Sequence, residues 1–299
     1  LSVNGVAIEP DMYVNWTVEV TGLSPQTEYA YRVGTWNGFD EATARFDAPE
    51  LSEMLTFKTG VAKGDRSPFK FVMAGDSRGG TDGIRANIER MKAADVGMWF
   101  FNGDMTNGGT PKEWMDWWDA MEPLTRKRVF MPVQGNHEIF ADVYYNQFAL
   151  PIMGAELPDE LAEGAWSINY GNVHFVGLNS NTKSLATEQL DWLEADLEQA
   201  SADPDTDFII AMMHHPTYSA STVHGSTSWI QATFLPLFEK YSVDFVFAGH
   251  DHAYERTVPV RAEAQVADGE GTVYVVAGGF FSPPYNNGKE WFTDVSVHG

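Results

Sequence analysis

The feature that most constrains this chain is a repeated one, a short apolar run that stops at a polar residue of metal-binding type. Phe69–Ala74 (FKFVMA) runs into Gly75-Asp76, and Val96–Phe101 (VGMWFF) into Asn102-Gly103-Asp104. Val129–Val133 leads to Gly135-Asn136-His137, Asp207–Met213 to His214, and Val243–Ala248 to Gly249-His250-Asp251-His252. Val173–Leu178 behaves alike and ends at Asn179. Short apolar runs of this length read as strands. Helical stretches at Gly83–Ala94 and Pro111–Met121 lie between the first three, so strands alternate with helices. That order implies an α/β layered domain with a largely parallel or mixed sheet. Polar residues at the C-terminal ends of its strands sit where open α/β sheets place their ligands. Glycine before Asp76, Asp104, Asn136 and His250 permits an abrupt exit from the strand.

Carboxylate, amide oxygen and imidazole together suit Zn²⁺, Mn²⁺ or Fe. The 299 residues include no cysteine, which excludes disulfides, thiolate zinc sites and cysteine nucleophiles. Acidic residues outnumber basic ones 42 to 19, a formal charge of −23. Such a surface repels nucleic acid and anionic membranes, and it repels phosphate too unless the site carries a local positive centre. No run approaches the roughly 18 apolar residues of a membrane span. The chain starts at Leu1 without a basic segment followed by an apolar one, which fits a removed signal segment or a fragment equally. With no cysteine, a periplasmic or secreted location is the expectation.

The first sixty residues differ from the rest. Tyr13–Val20 and Thr27–Trp36 alternate as strands do, Leu51–Thr59 reads as a third strand, and Gly22-Leu23-Ser24-Pro25 signals a turn. Gly60–Pro68 is the expected linker. These strands resemble the later half of a fibronectin-type-III-like module, of which about three strands out of seven are visible. The expected division is a partial β module over 1–60 and a catalytic domain over 66–299.

The blocks GDSR (75–78), NGDMTN (102–107), GNHE (135–138), MMHHP (212–216) and GHDHAYERT (249–257) stand in a fixed order. In that order they resemble the calcineurin-like metallophosphoesterase superfamily. HAYERT and the fibronectin-like strands make the chain most similar to the purple-acid-phosphatase branch. The resemblance covers essentially the whole chain. It implies a layered α/β sandwich of mixed sheets flanked by helices, holding two metal ions that hydrolyse a small phosphate ester. By the same resemblance Asp104 bridges both ions, Asp76 and His252 hold the first, and Asn136, His214 and His250 hold the second. Phosphomonoester hydrolysis by a metal-held hydroxide is the expected activity. A phosphodiesterase or nucleotide hydrolase on the same ligands is one alternative, and a catalytically weak metal-binding or adhesion protein is another.

Two positions depart from the family. Asn107 stands where the purple enzymes carry tyrosine, and Arg78 where many other members carry histidine. Without that tyrosinate, Zn²⁺ or Mn²⁺ is expected in place of coloured Fe(III), with the Asn107 amide oxygen or water completing the first ion. Arg78 cannot ligate, so it is free to fork onto phosphate oxygens. His137 and His224 are the proton-transfer candidates. Glu138 is expected to orient its neighbours, His215 to cap or bury, and His174, His298 and Asn179 to be structural. The aromatic stretch 114–122 is expected to face the core.

Overall fold

The computed structural model describes residues 2–3, 6–7, 16–35, 38–40, 42–43, 45–46, 50–91, 96–138, 141–154, 162–181 and 187–297. Two sheets lie face to face. Strands β1 (Phe71–Ala74), β2 (Met98–Phe101) and β3 (Val129–Pro132) form the smaller, all parallel, in the order β3-β2-β1. The larger is mixed and has the order β4-β5-β6-β7-β9-β8-β10. Its strands are β4 (Trp166–Tyr170), β5 (Val173–Gly177), β6 (Phe208–Met212), β7 (Phe245–Ala248), β8 (Tyr254–Thr257), β9 (Val273–Ala277) and β10 (Thr293–Val297). The inner four, β5-β6-β7-β9, are mutually parallel, and β4, β8 and β10 pair antiparallel at the flanks.

The continuous apolar runs follow from burial on both faces. Along β2, Met98 and Phe100 enter the space between the sheets, while Trp99 and Phe101 face the opposite way. Likewise Ile210 and Met212 of β6 point between the sheets and Ile209 and Ala211 point outward. The inter-sheet layer is largely aromatic. Phe100 lies 4.6 Å from Phe175, Phe71 lies 5.4 Å from Phe175, and Trp166 Nε1 donates to the Pro132 carbonyl across the two sheets (2.8 Å).

Helices cover the outer faces. Helix α1 (Thr81–Met91) and α2 (Pro111–Thr125) lie on the small sheet, burying Ile84, Ile88, Trp114 and Trp117. Helix α3 (Thr187–Ala202) and α4 (Ser228–Lys240) lie on the large one through Leu193, Leu197, Phe234 and Phe238. Helix α2 starts where Thr110 accepts from the Glu113 N–H while Glu113 reaches back to the Thr110 N–H, with Pro111 at the first position. Its tryptophans recur at helical spacing, so Trp114 and Trp117 are buried while Met115 is 56% exposed.

At the N-terminal end, Glu28–Tyr31 pairs antiparallel with Leu55–Lys58, and Gly34–Thr35 with Glu50–Leu51. The expected Tyr13–Val20 strand differs. Residues 13–15 lie outside the described set, and 16–20 are not in a strand, with Trp16 at 78% and Val18 at 79% exposure. Alternation without a paired neighbour does not make a strand. Nor is the 60–68 segment a loose tether. Arg66 forks onto Asp207 at 2.7 and 2.9 Å, and the Gly64 N–H donates to the Gly171 carbonyl.

Removing the ring at the centre of the inter-sheet layer leaves a cavity. Phe100→Ala is expected to lower unfolding free energy by about 3–5 kcal/mol, and Met115→Ala by less than about 0.5 kcal/mol. Urea unfolding of both variants checks the contrast.

Candidate metal centre

Parallel register brings the strand ends together. Ala74 pairs with Phe101 and Phe101 with Pro132, so the chain leaves β1, β2 and β3 at one edge. The Asp76 N–H donates to the Gly103 carbonyl and the Arg78 N–H to the Asp104 carbonyl, stitching the first two loops (3.0 and 2.9 Å). The exits are tighter than glycine alone explains. Asp76, Arg78, Asp104 and His250 themselves take left-handed backbone, with φ of 64°, 45°, 55° and 67°. Such residues cost of order 1–3 kcal/mol each and persist where the surroundings hold them. The neighbouring glycines serve mainly as space. A Cβ at Gly135 would collide with Asp104 Oδ1, and one at Gly249 would sit 2.5 Å from Asp76 Oδ2.

The donor atoms converge. Asp76, Asp104 and His214, all buried, offer oxygens and a nitrogen that lie within 4.8 Å of one another. His214 Nδ1 is 2.7 Å from the Asn102 carbonyl, which can only accept, so Nδ1 carries the hydrogen. In the neutral ring Nε2 is then a bare lone pair. It faces Asn136 Oδ1 at 2.9 Å, Asp104 Oδ1 at 3.3 Å and His250 Nδ1 at 3.2 Å. Carboxylate and amide oxygens converging with imidazole nitrogens in this way form a donor set that a transition-metal or zinc ion fits. His252 is fixed by the same device. Its Nδ1 donates to the Pro283 carbonyl (2.9 Å), and Nε2 lies 3.7 Å from Asp76 Oδ1. The His250 N–H adds a bond to both Asp76 oxygens, 3.0 Å each.

Burial and crowding shape the electrostatics. Burial first, then the Asp104 charge, raise the Asp76 pKa well above its ordinary value. Glu138 is pushed to about 8 by burial and then by Asp104, against three N–H donors that favour its charged form. Those donors are the main-chain groups of Asp104 (2.9 Å), Thr106 (3.0 Å) and Gly135 (2.8 Å), so one carboxyl clasps both loops. Burial depresses His250 far below its usual value, with His214 adding to the effect.

Around this core stand the other expected residues. Arg78 Nη2 donates to Asn107 Oδ1 (3.1 Å) and lies 3.3 Å from His137 Nδ1. The exposed Asn107 side chain is therefore held by Arg78, and its carbonyl accepts from His137 Nδ1 (2.7 Å). His137 Nε2 is left 3.9 Å from Asp104 Oδ2, and its N–H donates to Asp104 Oδ1 (2.9 Å). His224 is exposed, with its ring centre 4.1 Å from that of His250. His215 is held by the Ser180 hydroxyl (2.9 Å), and burial pushes its pKa to about 3. His174 pairs with Asp196 at 2.8 Å, Asn179 donates to Gln134 at 2.8 Å, and His298 lies outside the described residues.

Three residues carry no expectation from the sequence. Tyr285 stacks on His252, ring centres 4.1 Å apart and planes 18° apart, and lies 5.8 Å from His224. Asp251, wholly buried, accepts from the Ser219 hydroxyl (2.7 Å) and the Gly225 N–H (3.1 Å), tethering the loop that bears His224. Glu255 accepts from the Ala220 N–H (2.8 Å) and Asn287 Nδ2 (3.0 Å). The two acids sit inside the HDHAYERT block, where they could have been noticed as buried anions. Tyr285 lies in a stretch with no motif.

The chain is similar to known proteins. A family model described as calcineurin-like phosphoesterase matches residues 69–254. An uncharacterized protein of Mycobacterium tuberculosis is 28% identical over 87% of this chain and 56% of its own length. Purple acid phosphatase 21 of Arabidopsis thaliana is 29% identical over 87% of this chain and 57% of its own. The chain thus spans little more than half the length of these relatives. Among solved structures, a purple acid phosphatase from yellow lupin (Lupinus luteus) seeds superposes with a TM-score of 0.70 at 21% identity, covering 92% of this chain and 54% of that one. PhoD gives 0.56 at 16% identity, over 87% and 64%. Both likenesses concern the fold.

The shifted groups set a pH profile for chelator-treated protein. A carboxyl raised in the fold keeps its proton where the unfolded chain has lost it, so Glu138 and Asp76 withdraw stability as pH rises through the folded value, about 8 for Glu138. Depressed histidines act oppositely. His215, His250 and His252 withdraw stability as pH falls below their ordinary 6.5. Above pH 7 the carboxyls dominate. The melting temperature of metal-free protein is expected to be higher at pH 7 than at pH 8.5, and Glu138→Gln to flatten that slope. An unchanged slope in the variant would remove Glu138 from the account.

Proposed function

The chain belongs to the calcineurin-like phosphoesterase family, and from that premise we propose that it hydrolyses small phosphate esters, phosphomonoesters foremost, at a two-metal centre. The similarity to purple acid phosphatases supports the same branch. The observation that carries the reading is His214 Nε2, which faces Asp104 Oδ1, Asn136 Oδ1 and His250 Nδ1 while Nδ1 of the same ring is held by the Asn102 carbonyl.

In this reading Asp104 serves both ions, Asp76 and His252 the first, and Asn136, His214 and His250 the second. Asn107 is the remaining candidate for the first ion, and to serve it Oδ1 must release Arg78. Zn²⁺ or Mn²⁺ suits this mixed oxygen and nitrogen set. Two such ions, when bound, supply an acidified water and a positive field for phosphoryl oxygens. The chain's own residues do the rest. Arg78 faces the incoming ester as a fixed cation in an otherwise anionic protein and forks onto phosphoryl oxygens. His137, held by the Asn107 carbonyl through Nδ1, keeps Nε2 for proton exchange near the phosphoryl group. His224, exposed beside His250, stands where a leaving-group oxygen can take a proton.

Residues 1–60 are read as a partial fibronectin-like module, supported by the antiparallel pairing of Glu28–Tyr31 with Leu55–Lys58. Among the described residues no helix is long and apolar enough to cross a membrane. Export remains the proposal that the cysteine-free composition supports.

Elemental analysis of purified protein is expected to find about two metal ions per chain, with no violet band. Chelation should abolish hydrolysis of an aryl phosphate and Zn²⁺ or Mn²⁺ restore it, with the aryl monoester preferred to the bis-aryl diester. No bound metal would sink the reading, and a preference for the diester would redirect it to phosphodiesters. His214→Ala should lower kcat/KM by at least about 100-fold with loss of metal. Arg78→Ala should raise KM about 10-fold with metal retained, which steady-state kinetics would show.

A further inference from the structure

One segment, 280–285, lies against both Asp76 and His252. The Phe280 N–H donates to the Gly75 carbonyl and the Ser282 N–H to the Asp76 carbonyl, 3.0 Å each. The Pro283 carbonyl accepts from His252 Nδ1, and the Tyr285 N–H donates to the His252 carbonyl, 2.9 Å each. These bonds seat the Tyr285 ring flat on the His252 imidazole and beside His224. The seat is braced from the other side. The Thr222 N–H donates to the Asn286 carbonyl (3.1 Å), the Gly288 N–H to the Ala220 carbonyl (2.9 Å), and Ser221 bridges Asn287. The loop with His224 and the loop with Tyr285 therefore form one paired wall of the cleft.

The Tyr285 hydroxyl has no hydrogen-bond partner among the described residues, although the side chain is half-buried. Its charged neighbours are Arg78, Asp76, Asp251 and Asp104, four groups at or beside the centre. A phenol seated on the His252 ring beside His224, with its O–H left without a partner among the described residues, is placed to meet a group that arrives.

We propose that Tyr285 is a substrate-contacting residue whose hydroxyl donates a hydrogen bond to a phosphoryl oxygen of the bound ester, alongside Arg78. The proposal rests on the phosphate-ester reading above. It adds a neutral donor to the cationic one, and it comes from a segment without a recognisable motif.

The test uses the full chain loaded with Zn²⁺, with inorganic phosphate as the probe, binding read by isothermal titration calorimetry and metal content by elemental analysis. Tyr285→Phe keeps the ring and its stack and removes only the hydroxyl, so folding is not at stake. Its phosphate affinity is expected to fall about 10-fold, with metal content equal to that of the unaltered protein. Affinity within about 2-fold of the unaltered protein overturns the proposal while leaving the ester-hydrolase reading intact. Loss of metal together with phosphate overturns it in favour of a positioning role on His252. If the unaltered, metal-loaded protein binds no phosphate, the ester-hydrolase reading itself fails and takes this one with it.

Discussion

Buried carboxylates that receive main-chain N–H groups hold this centre in place. Glu138 collects the amides of Asp104, Thr106 and Gly135 and so locks the exits of β2 and β3 to each other. Asp251 and Glu255 do the same for the segment between Ser219 and Gly225. A buried carboxyl costs free energy unless it is hydrogen-bonded. Each of these acids therefore imposes a geometry on the loop that bonds to it. Loops arranged around buried carboxyl groups are specified nearly as closely as strands. That is what allows single residues on five separate strand ends to converge within a few ångströms.

Behind the loops stands a platform stiff enough to hold strained backbone. Left-handed conformations at Asp76, Asp104 and His250 each oppose folding, and main-chain bonds to Gly103, Glu138 and Asp76 hold them. Beneath them lies the aromatic layer between the sheets, where Phe71, Phe100, Phe175 and Trp166 interlock. Packed rings of that kind resist small displacements. The strain at the strand ends and the density beneath them belong to one balance of forces.

The strands of the two facing sheets were legible because burial on both faces leaves uninterrupted apolar runs, and helix α2 because Trp114 and Trp117 recur at helical spacing. The residues that converge at the strand ends were legible because their types, and the glycines before them, are visible one at a time. What was hidden depends on partners distant in sequence. The strand expected over Tyr13–Val20 rested on alternation alone, and the described part, 16–20, has no ladder to join. That the 60–68 segment is tied down was hidden because composition does not reveal that Arg66 meets Asp207. Tyr285 was invisible because a phenol acquires meaning only when it lies over a particular imidazole. The left-handed backbone at Asp76, Asp104 and His250 was hidden, whereas the glycines at the strand ends were visible, of which Gly135 and Gly249 leave room for carboxylate oxygens.

The contact between the His250 N–H and the Asp76 carboxylate joins residues 174 positions apart. Closing so long a loop is entropically unfavourable and is deferred until the intervening strands have docked. A chain with β6 or β7 still unplaced can display Asp76 and Asp104 but not the imidazoles that face them. Under the proposed two-metal reading, ion capture would act as a proofreading event. It would discriminate the finished topology from compact intermediates and draw the population toward it by mass action once the last strand is in place.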